Sequence, residues 1–192
     1  MFTLDEKVSI LETAANELIS YNREKAYEII KNGYGFEPYK TYHRSYTMNQ
    51  KMNQFIEDGF IDRYTGDKLV NPGILKVFSV YYPDIFPYHP NWKMTEGHIA
   101  YWELFPTIDH VYPISMGGVD EESNWATTSM INNSIKSNWT LENLRWKLQP
   151  KGNIEDWDGM SKLFLTIVEE NEELLDDKYI KQWYIVTKKF FP

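Results

Sequence analysis

The sequence contains no cysteine in its 192 residues, and only four histidines. Disulfide bonds are therefore excluded, and so are structural zinc sites closed by thiolates, so we expect no structural zinc. A chain without cysteine is compatible with a reducing compartment, and we expect a cytoplasmic protein.

Long hydrophobic runs are also missing, and no apolar stretch is long enough to cross a bilayer. The first ten residues, MFTLDEKVSI, are acidic and polar, unlike a signal peptide. We therefore expect no membrane partner.

Basic residues are outnumbered, with 20 Lys and Arg against 28 Asp and Glu and a formal net charge of −8. This balance argues against indiscriminate nucleic-acid binding, although a local basic cluster is not excluded by it. Hydrophobic residues make up 42% of the chain, which excludes a disordered protein and provides for a well-buried core.

The stretch 107–138 is the most informative part of the chain. A short β-prone run at 108–112 ends at Pro113, and Gly117-Gly118 begins a polar loop. A second short run at 124–127 leads into a Thr/Ser cluster that can cap a helix starting near Ser129. These patterns predict the order strand, loop, strand, helix.

This stretch carries residues suited to metal-assisted phosphodiester hydrolysis. Mg²⁺ prefers oxygen ligands, which Asp109 and Asn133 can supply, and the neutral imidazole of His110 can take a proton from water. Adjacent strand residues face opposite sides, so Asp109 and His110 serve one site only if the strand bends or ends there.

At these residues the sequence resembles the HNH endonucleases, also called ββα-metal or His-Me finger nucleases. The family pattern is an Asp-His pair, a Pro, a Gly-Gly loop, an Asn, and a later Asn or His followed by Lys. The elements present are Asp109-His110, Pro113, Gly117-Gly118, Asn124, Asn133 and Lys136.

The resemblance implies a role for each matching residue. His110 would be the general base, and Asp109 with Asn133 would hold Mg²⁺ or another divalent cation such as Mn²⁺. Asn124 would fix the loop, and Lys136 would lie near phosphate. Many members also carry Cys-x-x-Cys pairs that bind zinc, but here the corresponding stretch 61–67 has no thiols, so packing must replace the metal.

A second candidate for nucleic-acid contact is the segment 38–56, which has basic residues between tyrosines and no acidic residue. Lys40, Arg44 and Lys51 suit phosphate contact and the tyrosines suit base stacking, although ordinary packing explains the tyrosines equally well. Arg145, in a predicted short helix at 141–148, is another candidate phosphate contact.

Helix signals flank the central stretch. Thr3 with Glu6 forms a capping box, Asn22 can cap a second helix, and Asn71-Pro72 begins a third. Further helices are predicted at 96–105, 158–175 and 177–190. We predict an α+β, mainly helical protein with a small ββα-metal (HNH) core at 60–148, an N-terminal helical part at 1–59 and a C-terminal helix pair at 149–192.

These observations predict a metal-dependent endonuclease that hydrolyses DNA phosphodiester bonds, with double-stranded DNA as its partner and a homodimer as one possible assembly. Restriction or another defence role is our first interpretation. The alternatives are a non-specific toxin nuclease, although such proteins are usually strongly basic, and an inactive DNA-binding protein of the same fold.

Overall fold

The computed structural model describes residues 2–36 and 45–192. The chain divides into two compact units, Met1–Tyr42 and His43–Pro192. Residues 45–59, which were predicted to belong to the N-terminal part, lie in the same unit as the central stretch. Within the described ranges, no helix combines the length and the apolar character needed to cross a membrane.

The first unit contains two helices, α1 (Leu4–Ile19) and α2 (Arg23–Tyr34). The predicted capping box at Thr3 is confirmed, because its side chain accepts from the backbone N–H of Glu6 while the Glu6 carboxylate accepts from the N–H of Thr3. Asn22 precedes α2 as predicted, but its amide donates to the Glu17 carboxylate and does not cap the helix.

The second unit contains seven α-helices and a two-stranded sheet among its described residues. In chain order these elements are α3 (Met48–Glu57), α4 (Pro72–Tyr81), α5 (Ala100–Glu103), β1 (Pro106–His110), β2 (Trp125–Ser129), α6 (Met130–Lys136), α7 (Leu141–Leu144), α8 (Ser161–Glu170) and α9 (Lys178–Phe190). The predicted mainly helical α+β class is confirmed at this level.

The core of this unit forms where α3, α4, α8 and α9 pack together. Its largest fully buried apolar side chains include Phe55, Phe60, Ile74, Phe164 and Ile180. Asn71 lies inside this core, where its side-chain oxygen caps α4 and its amide donates to Ser161 and Thr187. Burial of the apolar side chains is the main source of stability, and the hydrogen bonds offset the cost of burying Asn71.

The strands β1 and β2 form an antiparallel hairpin, and α6 follows β2 directly. Asp109 pairs with Ala126, and His110 pairs with Trp125 at the last position of β1. Ser129 caps α6 by accepting from the N–H of Asn132, at the predicted position. The predicted order of strand, loop, strand and helix is therefore present.

Three predicted helices are shorter than the sequence indicated. The helix predicted at 96–105 is reduced to α5, and α7 ends where Arg145 adopts a left-handed backbone with φ 57°. The helix predicted at 158–175 stops at Asn171, whose amide donates to the carbonyl of Ile167, and continues as the 3₁₀ turn Glu172–Asp176. Side-chain bonds of this kind compete with the helical pattern.

Candidate functional site

The hairpin distributes its side chains over two faces. Because successive strand residues point to opposite sides, Thr107 and Asp109 share one face of β1, while Ile108 and His110 share the other. The first face lies under α6, and Ile108 on the second face joins the hydrophobic core.

Asp109 is buried, and one of its carboxylate oxygens contacts two donors. The Tyr64 hydroxyl donates to Oδ2 of Asp109 at 2.6 Å, and Nζ of Lys136 lies 2.8 Å from the same atom. Burial, together with the negative charge of Asp109, raises the pKa of the Tyr64 phenol well above its usual range. Tyr64 therefore remains protonated and serves as a donor.

Lys136 lies in the interior, and this corrects its expected role. Its side chain is fully buried, its Nζ donates to the backbone carbonyl of His110 at 2.7 Å, and the ring of Tyr64 lies 5.8 Å away. A buried ammonium needs such partners to offset its loss of hydration. Lys136 thus neutralises Asp109 and is not at the surface, where a phosphate would meet it.

Asn133 lies one turn before Lys136, on the side of α6 that faces β1. Its amide nitrogen donates to the hydroxyl of Thr107 at 3.0 Å and lies 3.4 Å from the carbonyl of Ile108. These contacts use the amide nitrogen, so the amide oxygen remains available as an acceptor or a metal ligand. Between residues 45 and 192, neither this oxygen nor Oδ1 of Asp109 accepts a hydrogen bond.

His110 is held from the other face of the strand. Its Nε2 lies 2.8 Å from Oδ1 of Asp120 and 3.4 Å from the Tyr46 hydroxyl. A carboxylate only accepts hydrogen bonds, so the proton shared in this contact belongs to Nε2.

Asp120 links His110 to the start of β2. Its Oδ1 also accepts from the indole N–H of Trp125 at 3.0 Å, and its side chain is about half exposed. Asp120 was not predicted as a site residue, because the acidic run at 120–122 has the composition of an ordinary solvated loop. A concave surface beside Tyr46 and Asp120 is lined further by Ser45, Gln50, Glu121, Glu122, Ser123 and Trp125.

The side chains of Asp109 and His110 therefore have different partners, although the residues are adjacent. The side chain of Asp109 contacts Tyr64 and Lys136, whereas the ring of His110 contacts Tyr46 and Asp120. Lys136 connects the two positions, because its ammonium contacts the carboxylate of one and the backbone carbonyl of the other.

Asn124 closes the loop between the strands. Its side-chain oxygen accepts from the N–H of Tyr112 at 2.8 Å, and its amide donates to the carbonyls of Tyr112 and Val119. Three bonds from one side chain fix both sides of the loop that carries Asp120.

Two buried carboxylates stabilise the region where the zinc-free knuckle was expected. Asp62 accepts four hydrogen bonds, from the backbone N–H groups of Tyr64 and Ser129 and from the side chains of Thr128 and Asn132. Asp58 accepts from Gln54, Arg63 and the N–H of Thr127. The turn that contains Asp62 is thereby tied to β2 and to the start of α6.

The residues expected to contact nucleic acid differ in their surroundings. Lys51 lies half-buried on α3, and burial lowers the pKa of its ammonium. Arg145 is exposed at the end of α7. Lys40 and Arg44 lie outside the described residues.

The candidate ligand set consists of one carboxylate and one carboxamide. Over the described ranges, no three His, Asp or Glu side chains converge as a metal cluster would. In the comparisons with known proteins, no family model, no curated protein and no solved structure matches this chain.

Proposed function

We propose that this protein is a metal-dependent endonuclease of the HNH type that hydrolyses DNA phosphodiester bonds. The observation that carries the proposal is the β1–β2–α6 unit, which holds Asp109, His110 and Asn133 on consecutive elements in the predicted order. The carboxylate of Asp120 contacts the ring of His110 and gives this histidine the hydrogen-bond partner that a general base requires.

The donor chemistry of the helix-facing side fits a hard divalent cation. Asp109 and Asn133 each retain one oxygen that accepts no hydrogen bond from residues 45–192. Asp109 lies on the face of β1 that α6 covers, and Asn133 faces β1 from α6. Mg²⁺ commonly takes one or two protein oxygens and keeps several waters. Asp109 and Asn133 would hold this ion, which when bound polarises a phosphate and stabilises the leaving oxygen.

His110 supplies the acid–base chemistry in this proposal. The imidazole takes the proton of the attacking water, while the carboxylate of Asp120 lies 2.8 Å from its Nε2. The carboxylate of Asp120 then stabilises the imidazolium that forms, because opposite charges 2.8 Å apart attract strongly. Asp120 is therefore a positioning residue that acts through His110.

Lys136 and Tyr64 orient the carboxylate of Asp109 and stabilise it in the interior. Both donate to the same oxygen, so the charge of Asp109 is partly neutralised and its other oxygen is directed elsewhere. In this arrangement Lys136 is a structural partner of the ligand and not a phosphate contact.

Double-stranded DNA is the proposed substrate, and restriction or another defence role is the proposed biological setting. The net charge of −8 disfavours loose binding, so recognition would depend on local cations such as Lys51. A non-specific toxin nuclease fits this charge less well.

The test is cleavage of plasmid DNA with Mg²⁺, with and without a chelator. His110→Ala should lower the cleavage rate by about 10²–10⁴-fold, because the proton acceptor is lost. The matched control is His89→Ala, since His89 contacts Glu96 in another part of the unit. Thermal unfolding of both variants tests whether the chain remains folded.

Three outcomes would contradict the proposal. Near-parental cleavage by folded His110→Ala would exclude this histidine as the base. Cleavage that persists undiminished in chelator would exclude the divalent ion. DNA binding by the parent without any cleavage would favour the inactive DNA-binding protein.

A further inference from the structure

Helix α1 carries an apolar stripe that the first unit does not bury. Four large side chains recur along it at a spacing of four, three and seven residues, with Ala15 dividing the last interval: Leu4, Val8, Leu11 and Leu18. Their exposed fractions are 78%, 61%, 46% and 52%. Side chains at this spacing lie along one side of a helix.

The interior of this unit is small by comparison. Within residues 2–36, the side chains that reach full burial are Ala14 of α1 and Ala26 of α2. Ile10 packs closely against Gly33, where a Cβ would lie only 3.1 Å from the isoleucine side chain. Units of about 40 residues usually need further support, often from oligomerisation. More apolar side chains lie outside this hairpin than inside it.

A second stripe lies on α2, on the same side of the hairpin. Tyr27, Ile30 and Tyr34 recur at helical spacing and are all exposed. The ammonium of Lys7, at the edge of the α1 stripe, lies 5.3 Å from the ring of Tyr34. The other side of the hairpin is polar and is closed by the ion pair between Lys25 and Glu17 at 2.7 Å. The unit therefore has one broad apolar side.

The spacing on α1 matches a heptad with leucine at the d positions 4, 11 and 18, and with Val8 and Ala15 at the a positions. A β-branched residue at a with Leu at d favours two parallel helices. Lys7 and Glu12 border the stripe at the g and e positions, on opposite edges. In a parallel pair, Lys7 of one copy lies next to Glu12 of the second copy, so the flanking charges are complementary.

We propose that this apolar side of the α1–α2 hairpin is a homodimer interface, in which the α1 helices of two copies pack in parallel. The face is self-complementary, as a two-fold interface requires. The proposal does not depend on the nuclease function, because it is based only on the residues of the first unit.

The test is sedimentation equilibrium of the full chain over a range of concentrations. The parent should dimerise, and Leu11→Glu should raise the dimer dissociation constant by about 30-fold or more, because a buried leucine is replaced by an unpaired charge. Ser9→Glu is the matched control. It adds the same charge to an exposed residue on the opposite side of α1 and should leave the dissociation constant unchanged.

A charge exchange tests the parallel arrangement. Lys7→Glu and Glu12→Lys should each weaken the dimer, and the double variant should restore the parental dissociation constant. A monomeric parent, or a dimer that Leu11→Glu leaves intact, would overturn the proposal.

Discussion

The buried carboxylates of the second unit differ in how many of their oxygens accept hydrogen bonds. Asp58 and Asp62 use both oxygens, whereas Asp109 uses one. Both oxygens of Asp58 and both oxygens of Asp62 accept hydrogen bonds. Asp109 uses only Oδ2, for Tyr64 and Lys136. A carboxylate with both oxygens engaged serves the fold, whereas one with an unused oxygen retains capacity for a ligand.

Buried and half-buried lysines show the same difference. Lys136 has a carboxylate, a carbonyl and an aromatic ring around its ammonium. Lys51 is half-buried and has no carboxylate partner within the described residues. Complete pairing therefore marks structural charges, and incomplete pairing marks the charges that we expect to meet metal or nucleic acid.

The largest expected effect on stability concerns Asp62, a carboxylate with both oxygens engaged. Asp62→Ala would leave three buried donors and one partly buried donor without an acceptor. It should lower the free energy of unfolding by about 4 kcal/mol, measured by urea denaturation. Asp67→Ala, at an exposed position of the same turn, should change it by less than about 0.5 kcal/mol. Similar small effects from both variants would show that the Asp62 network does not stabilise this region.

Lys136→Met should cause the next largest loss of stability, because Asp109 then remains as a buried charge without its cation. The expected loss is about 3 kcal/mol. Mn²⁺ or Mg²⁺ should recover much of it, since a cation bound to Asp109 and Asn133 replaces the missing charge. The measurement is the melting temperature with and without the ion.

The parent and Lys162→Met, an exposed replacement on α8, provide the reference for that experiment. The ion should raise their melting temperatures far less than that of Lys136→Met. In the double variant Asp109→Asn with Lys136→Met, the carboxylate is gone and the effect of the ion should disappear. Equal ion effects in all four proteins would remove Asp109 from the metal site.

Asp120→Asn should have a smaller effect, confined to catalysis. The carboxamide still accepts from His110 but carries no charge to stabilise an imidazolium, so kcat should fall about tenfold while KM remains near its parental value. Its side chain is half exposed, so the melting temperature should change little. Glu121→Gln, at the next residue, should leave kcat unchanged. A parental kcat for Asp120→Asn would remove its positioning role.

The parts of the fold that could be predicted from the sequence depend on partners a few residues apart. Thr3 and Glu6 form their capping box, Asn71 caps the helix that starts at Pro72, and Ser129 caps α6. Each signal lies within one helical turn, so the local sequence contains both members of the interaction.

The parts that could not be predicted depend on distant pairs. Asp62 contacts Ser129, and Tyr64 contacts Asp109, across stretches of chain whose path only the tertiary fold determines. Lys136 occupies the same spacing whether it faces phosphate or Asp109, so its burial left no trace in the pattern. For the same reason the carboxylate partner of His110 was hidden in an acidic loop.

The smallest expected effect tests the incompletely paired lysine. Burial already disfavours the charge on Lys51, and a bound phosphate would offset that cost, so Lys51→Ala should weaken DNA binding and reduce the slope of log K against log salt by about 0.9. Lys181→Ala, an exposed replacement on α9, is the control and should leave the slope unchanged. Binding is measured with duplex DNA in the absence of divalent ions, so that cleavage does not interfere. A parental slope for Lys51→Ala would mean that this ammonium meets no phosphate, and incomplete pairing would then not identify ligand contacts on α3.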